Sequence, residues 1–299
     1  MTVRYILLAL LFPILSQAQM ASEDSLGLVI APGLTPVVAK GQTEIGFFNA
    51  FSTYKTDDTS DYRGAQQTAF LQLQHGFSHQ NTFSAGIDLL FSNLRYGPAS
   101  EVGPFAAFGK EPATGIAAHS LTAVGARVRW VPFIHHYEFT LQGSVYVPVA
   151  STENRTLLDE DRVRVSVQGN YSTLFAPGWY VVGQLGPQAR FSNNTRKQTT
   201  WELPLNLFLI RRIASTTSGQ RFYLFGSVGY FSSFEKRYKG SLRQVNWLLF
   251  AGLGGQWVIN PQWSVSLGWQ ALPAFDDSYG VKKGSYSTIS LGVRYAGRL

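Results

Sequence analysis

Residues 83–92, FSAGIDLLFS, decide the fold class. The odd-numbered positions hold Phe, Ala, Ile, Leu and Phe, and the even-numbered positions other than Leu90 hold Ser, Gly or Asp. Successive side chains of a β-strand point to opposite faces, whereas a helix repeats its apolar residues with a period near 3.6. The stretch therefore predicts a strand with one apolar face and one polar face.

The same alternation continues along the chain from residue 43 onward. It recurs in the segments 44–54, 68–75, 83–92, 124–130, 137–147, 163–168, 179–190, 201–209, 222–228, 247–257, 263–269 and 289–295. These segments amount to about twelve strands, and an even number suits a closed antiparallel barrel. We predict an all-β, up-and-down transmembrane barrel. The long connection 93–118 leaves room for another hairpin, which would make about fourteen strands.

The composition excludes other classes of protein. Only 14% of the residues are charged, against 45% hydrophobic, and a soluble protein carries about 25% charged residues. No apolar run after residue 20 reaches the roughly 18 residues of a membrane-spanning helix. Cysteine is absent, which excludes disulfides and Cys-based zinc sites. The net charge of +7 comes without a dense Lys/Arg run, so nucleic acid is not an expected partner.

The lengths of the connections separate a membrane barrel from a soluble sandwich or barrel. Odd-numbered connections are long, at 55–66, 93–118, 150–162, 192–199, 232–243 and 271–284. Even-numbered ones are short, at 76–81, 132–136, 176–178 and 260–261, with 211–220 as the exception. Long outer loops alternating with short periplasmic turns are typical of outer-membrane barrels. We therefore expect the odd connections outside and both ends of the barrel domain periplasmic. The longest loop, residues 96–119, has the length to fold inward and constrict a channel, and disorder of this loop is an equal possibility.

The tryptophans support the same interpretation. All seven lie near the ends of predicted strands, where an indole favours the headgroup boundary of a membrane. They predict two aromatic girdles formed by Trp130, Trp179, Trp201, Trp247, Trp257, Trp263 and Trp269.

The N-terminus has the features of a secretory signal peptide. Arg4 is followed by a short apolar core over 5–14, and Ser16-Gln17-Ala18 offers a cleavage site. We predict a signal peptide at 1–18, a periplasmic or lumenal arm at 19–42 and the barrel at 43–299. No Cys follows the leader, which argues against a lipoprotein anchor.

The chain resembles Gram-negative outer-membrane β-barrel proteins. The resemblance rests on the leader ending Gln17-Ala18-Gln19, the repeated strands and the terminal segment 286–299. The leader is similar to those of Bacteroidetes exports. The segments 40–42 and 73–76 are similar to small transporter-like barrels. The chain departs from such barrels by ending in Gly297-Arg298-Leu299 rather than in an aromatic residue, although Tyr295 lies close by.

Polar residues on the inward face of the strands are candidates for the lumen lining. They are Glu44, Asp88, Arg127, Arg129, Glu138, Arg164, Gln184, Arg190, Glu202 and Arg294. Rings of such side chains set the selectivity of a pore, and here they suggest a mild preference for anions. The same residues have the charges to form cross-strand salt bridges that plug a narrow barrel. The sequence leaves both possibilities open.

Catalytic and metal sites have weaker support. His119 and Ser120 are the one His–Ser pair near the predicted outer rim, but adjacent strand residues point to opposite faces. No catalytic residue is therefore predicted. The loops offer weak candidates for Ca²⁺ in Asp57, Asp58, Asp61, Asp276 and Asp277, although solvated loop charges explain these residues better. No metal site and no cofactor are expected.

From these features we expect a passive channel or transporter for a small solute, located in the outer membrane of a Gram-negative bacterium. One alternative is a non-conducting barrel that anchors or assists a cell-surface complex, and a weaker one is an outer-membrane hydrolase. The expected partners are outer-membrane lipid, lipopolysaccharide, the barrel-assembly machinery and a small solute.

Overall fold

The structure is a computed structural model. It describes residues 37–56, 61–133, 136–192, 199–236, 242–276 and 281–298. The predicted signal peptide and residues 19–36 of the predicted arm lie outside the described residues.

Thirteen labelled strands make up nearly all of the described chain. They are β1 (Thr43–Lys55), β2 (Tyr62–Gly76), β3 (Phe83–Pro98), β4 (Ile116–Trp130), β5 (Phe139–Pro148), β6 (Arg162–Ala176), β7 (Trp179–Leu185), β8 (Gln188–Ser192), β9 (Thr200–Ser215), β10 (Arg221–Lys236), β11 (Leu242–Val258), β12 (Trp263–Phe275) and β13 (Ser287–Gly297). A short helix α1 (Thr152–Leu157) and a 3-10 turn (Ala106–Phe108) lie in connections. Among the described residues, no helix is long and apolar enough to cross a membrane.

The strands form a closed antiparallel barrel with twelve strand positions. Closure comes from β1 pairing with β13, in a register that runs from Thr43 opposite Gly297 to Thr53 opposite Ser287. A closed sheet pairs its backbone N–H and C=O groups within the protein and leaves no open edge. The prediction of a twelve-stranded antiparallel barrel is therefore confirmed.

The described chain has thirteen strand segments rather than twelve because one strand of the barrel is split into two. β7 and β8 both lie between β6 and β9, and the same register relates both to β6. Pro187 stands between them and has no backbone N–H to donate. Its carbonyl oxygen still accepts a hydrogen bond from Val167 N at 3.0 Å. β7 and β8 are thus one strand of the barrel, interrupted at a proline.

The strands extend further into the connections than the alternation predicted. β9 continues to Ser215 and β10 begins at Arg221, so the exceptional connection 211–220 is a short turn like the others. β3 reaches Pro98 and β4 begins at Ile116, with only the 3-10 turn between them. The possible additional hairpin is therefore wrong, and so is the fourteen-strand alternative. We call the end with the short connections the turn end and the opposite end the loop end.

The connection 99–115 lies against the outer wall rather than inside the barrel. Asn93 Nδ2 donates to the carbonyl oxygen of Ala107, and Arg63 Nη1 donates to that of Val102 at 3.2 Å. Asn93 and Arg63 have the outward parity of their strands. The expectation that this connection folds inward and constricts a channel is therefore wrong.

The two faces of the barrel wall differ as the alternation predicted. The outward face carries exposed apolar side chains such as Ile87, Leu207 and Leu253, which is 61% exposed. The inward face carries buried polar side chains such as Gln72 and Ser84. A wall that is apolar outside and polar inside suits a lipid exterior rather than an aqueous one.

Outward aromatic rings pair along the turn end. Phe222 stacks on Trp257 with ring centroids 5.5 Å apart, and Trp263 lies 5.0 Å from Tyr295. Further ring pairs at this end are Phe77–Phe83, Phe133–Phe139 and Phe175–Trp179. Towards the loop end the tryptophans are more scattered, because the extension of β11 and β12 leaves Trp247 and Trp269 well inside their strands. The girdles themselves stay a prediction.

The chain enters the barrel across the turn end. Val37 and Val38 are buried, and Lys40 forms an isolated bridge with Gly76. Gly76 has the inward parity of β2, and a Cβ there would overlap the carbonyl oxygens of Val38 and Ala39. The last residues before β1 therefore pack on the lumenal side of the end of β2.

Candidate functional site in the lumen

Glu44 of β1 contacts side chains from three other strands at the turn end of the lumen. Arg294 Nε donates to Glu44 Oε2 at 2.8 Å, and Gln72 Nε2 donates to Glu44 Oε1 at 3.0 Å. Arg129 Nη1 lies 3.8 Å from Glu44 Oε1, an ion-pair distance. The Glu44 side chain is 1% exposed, so these cations replace the water that a carboxylate normally needs.

Asp88 binds a third arginine, Arg127. Asp88 Oδ2 accepts hydrogen bonds from Arg127 Nε at 3.1 Å, from Arg127 Nη2 at 2.8 Å and from Tyr146 Oη at 2.8 Å. Arg127 Nη1 also donates to Gln72 Oε1 at 3.0 Å. Gln72 therefore joins the Asp88 cluster to the Glu44 cluster. We call the connected set of side chains on β13 and β1–β5 the turn-end network.

Arg129 completes the turn-end network. Its Nε donates to Gln142 Oε1 at 2.8 Å, while Nη1 and Nη2 have no hydrogen-bond partner among the described residues. The network holds the carboxylates of Glu44 and Asp88 and the guanidinium groups of Arg127, Arg129 and Arg294, which leaves one surplus positive charge.

The other half of the turn end is filled by apolar side chains. They come from the inward faces of β7 and β9–β11 and form one buried cluster of Tyr180, Val182, Phe208, Ile210, Tyr223, Phe225 and Val258. Together with the turn-end network and Val37–Val38, this cluster fills the turn end of the lumen with buried side chains.

Towards the loop end the inward charges are less buried. Arg190 Nε lies 2.8 Å from Glu202 Oε1, and Arg164 Nη2 lies 3.0 Å from Glu160 Oε2. The side chains of Arg164 and Arg190 are 18% and 20% exposed, against 1% for Arg129. These two arginines are therefore more accessible than those of the turn-end network, although Glu202 is 7% exposed.

Two of the predicted lumen residues lie apart from these clusters. Gln184 Oε1 accepts from Asn206 Nδ2 at 2.6 Å and Gln184 Nε2 donates to Asn170 Oδ1 at 3.2 Å, forming a neutral bridge on the far wall. Glu138 precedes β5 at the turn end, and its carboxylate lies 3.9 Å from His136 Nδ1. The structure therefore places Glu138 beside a turn histidine rather than in the turn-end network.

Several members of the turn-end network are absent from the predicted lumen residues, among them Gln72, Gln142 and Tyr146. Gln72, Gln142 and Tyr146 are buried on inward faces. Each follows the inward parity of its strand, so the alternation contained the signal. Tyr146 lies between the outward residues Val145 and Val147, and its ring occupies the space above Gly125, where a Cβ would overlap it.

The catalytic and metal candidates do not form a site among the described residues. His119 pairs with the outward Asn93 and Ser120 with the inward Ser92, so the two side chains point apart. Asp61 Oδ1 lies 3.0 Å from Lys55 Nζ. Within the described ranges, no group of three or more His, Asp or Glu residues is arranged to hold a metal ion. Asp57, Asp58 and Asp277 lie outside those ranges.

Comparison with known proteins bears on the fold alone. No protein-family model and no curated protein matches the sequence. An outer-membrane channel from Pseudomonas putida F1 superposes with a TM-score of 0.54 at 11% identity, over 90% of this chain and 99% of the channel. The chain has the fold of outer-membrane β-barrels.

A second structural neighbour is part of an autotransporter rather than a channel. The beta domain of the Bordetella autotransporter Brka superposes with a TM-score of 0.56 at 14% identity, over 85% of this chain and 99% of that domain. One neighbour is a channel and the other an autotransporter domain, and one fold hosts many functions. The fold therefore does not decide the activity.

Proposed function

We propose that this protein is an outer-membrane channel that passes a small solute through its lumen and is closed at the turn end in the conformation described above. The observation that supports this proposal is the polar interior. A barrel that serves only as an anchor has no need to bury Glu44, Asp88, Arg127, Arg129 and Arg294 on its inward face.

These buried charges are costly for the barrel. Burying a pair of charges costs several kcal/mol per ion by typical estimates, and well-packed apolar side chains of similar volume are often as stabilising. Polar side chains in a lumen, in contrast, can exchange protein partners for water and solute when a path opens. The surplus positive charge favours anions at the constriction.

A second candidate is a non-conducting barrel that anchors or assists a surface complex. The observation that favours it is the closure of the turn end by the turn-end network, the apolar cluster and Val37–Val38. The proposed channel requires that the turn end opens, whereas a non-conducting anchor is compatible with a turn end that stays closed.

The location is tested with the full chain. The protein should fractionate with the outer membrane, require detergent for solubility, and migrate differently on a detergent gel before and after boiling. A protein that stays soluble without detergent would contradict the membrane assignment.

The channel is tested in planar bilayers. The wild-type protein should give small, infrequent conductance steps with a reversal potential that indicates anion preference. Asp88→Ala combined with Arg127→Ala removes both charges and much of the side-chain volume, and we expect larger steps. Asp61→Ala, at the exposed loop end, should leave conductance unchanged. Absence of conductance and of liposome solute uptake in both wild type and double variant would establish the non-conducting alternative.

A further inference from the structure

Three tyrosines lie in one cross-strand row at the loop end of the lumen. The strand register places Tyr54 of β1 beside Gly64 of β2, and Gly64 beside Tyr96 of β3. Tyr286 immediately precedes β13, and its ring lies 6.5 Å from that of Tyr54 at an interplanar angle of 16°. These positions share the inward parity of Glu44, Gln72, Asp88 and Arg294, so the row faces the lumen.

Gly64 allows these rings to form one continuous surface. A Cβ at position 64 would overlap the Tyr54 ring, which therefore lies flat over the glycine. Tyr62 extends the surface, because its ring centroid lies 5.4 Å from that of Tyr96. We call Tyr54, Tyr62, Tyr96 and Tyr286 the tyrosine cluster. All four side chains are partly exposed.

Small hydroxyl side chains line the wall below the tyrosine cluster. Ser52 Oγ and Thr288 Oγ1 are 2.8 Å apart, and Tyr286 Oη donates to Ser52 Oγ at 3.3 Å. The next inward row towards the turn end follows from the register and contains Ser290, Ala50, Thr68, Ser92 and Ser120. The wall therefore changes from aromatic rings to hydroxyl groups. A further apolar row of Phe48, Phe70, Leu90 and Ala123 separates these hydroxyls from the charged turn-end network.

We propose that the tyrosine cluster and the hydroxyls below it bind a saccharide ring. Tyrosine combines a flat apolar face with a polar tip, and a sugar ring likewise combines an apolar C–H face with hydroxyl groups at its edge. Sites for such solutes are typically lined by aromatic side chains with a few placed polar groups that fix orientation. The proposal rests on the proposed channel function and names the class of its solute.

An organic cation is the other ligand that aromatic rings attract. Among the described residues, the wall around the tyrosine cluster offers such a cation no carboxylate partner, because Glu160 and Glu202 towards the loop end are already paired with Arg164 and Arg190. No carboxylate has inward parity in the tyrosine row or in the two rows below it. A neutral polyol suits this surface better.

Binding is measured on the full chain refolded in detergent, by titration calorimetry with glucose, with a neutral glucose trisaccharide and with choline. We expect the trisaccharide to bind and choline not to bind. Tyr54→Ala and Tyr286→Ala should each weaken trisaccharide binding about threefold to tenfold, by analogy with the energies of aromatic pairs. Tyr54→Phe keeps the ring and should lose less than Tyr54→Ala.

Matched controls separate binding from folding. Gly64→Ala should weaken binding because the added methyl displaces the Tyr54 ring, whereas Gly183→Ala should not, since a Cβ at position 183 meets nothing within 4 Å. Tyr295→Ala removes a tyrosine from the outer wall and should leave binding unchanged. The detergent-gel shift verifies that each variant is a folded barrel, and the gentler Tyr54→Phe and Gly64→Ala variants keep the test open if an alanine variant does not fold.

The outcomes distinguish this proposal from the channel itself. Saccharide binding without conductance would overturn the channel and leave the saccharide site standing. Conductance without binding or blockade by the trisaccharide would overturn the saccharide site and leave the channel standing. Binding of choline in place of the sugars, or equal sugar binding by wild type, Tyr54→Ala and Tyr286→Ala, would also overturn the saccharide site.

Discussion

Replacing Asp88 by Ala tests whether the turn-end network holds the barrel together. Asp88 is the acceptor for two nitrogen atoms of Arg127 and for the Tyr146 hydroxyl, and the Asp88 and Arg127 side chains are 0% and 2% exposed. Removing one partner of such a buried pair leaves an uncompensated charge, which typically costs about 3–5 kcal/mol. We expect the free energy of unfolding of Asp88→Ala to fall by about that amount.

The measurement is a urea titration of protein refolded into lipid vesicles, followed by tryptophan fluorescence. With a slope of about 2 kcal/mol per molar urea, the midpoint should fall by roughly 2 M. Arg127→Met combined with Asp88→Ala should cost less than the sum of the single variants, because neither charge then stays unpaired. Asp61→Asn breaks only the exposed pair with Lys55, keeps a residue type that tolerates the positive φ at this position, and should cost less than about 1 kcal/mol.

An unchanged urea midpoint for Asp88→Ala would contradict this prediction. If Asp88→Ala unfolds at the same urea concentration as Asp61→Asn, Arg127 must be solvated by water in the lumen. The closure of the turn end would then be looser than the hydrogen bonds indicate.

Three other predictions concern the wall of the barrel. Gly76→Val should displace Val38 from the turn end, and a cysteine placed at Val38 should then react faster with a lumenal thiol reagent. Leu253→Arg puts a charge on the outward face and should cost about 2–4 kcal/mol if that position lies near the membrane midplane, measured by the same urea titration. Pro187→Ala restores an N–H opposite Val167, so hydrogen exchange at the Val167 amide should slow. Unchanged exchange at Val167 would mean that the strand is interrupted for another reason.

The strand count was predictable because each strand keeps one apolar and one polar face. In β3, for example, residues 83–92 show the alternation without any knowledge of their partners. The strand ends were less predictable. Arg211 and Arg212 belong to β9 although they read as loop residues, because a strand that continues beyond an apolar belt no longer needs an apolar outward face.

The inward parity of the charged residues was also predictable, but their pairing was not. Glu44 meets Arg129 from a strand three positions away, and no local pattern encodes which side chains meet across a lumen. Bulges add a second difficulty. The register of β4 shifts between residues 121 and 123. Inward and outward positions counted from one end of that strand are therefore assigned wrongly at the other end.

The path of the connection 99–115 depends on long-range contacts that the sequence does not display. Its glycines and prolines suit an inward loop and an outward one equally. The bonds from Asn93 and Arg63 to its backbone decide between them.

The pairing of β1 with β13 also bears on how the chain reaches its final state. The first and last strands are separated by the whole length of the barrel domain, so the seam between them has the highest sequence separation of any strand pair and is entropically the costliest to close. Thr43 and Gly297 nevertheless lie opposite each other, so the closed sheet does not depend on where along the ring the chain starts. The same barrel should form from a chain joined at this seam and opened instead within 99–115, with folding kinetics changed and the final register retained.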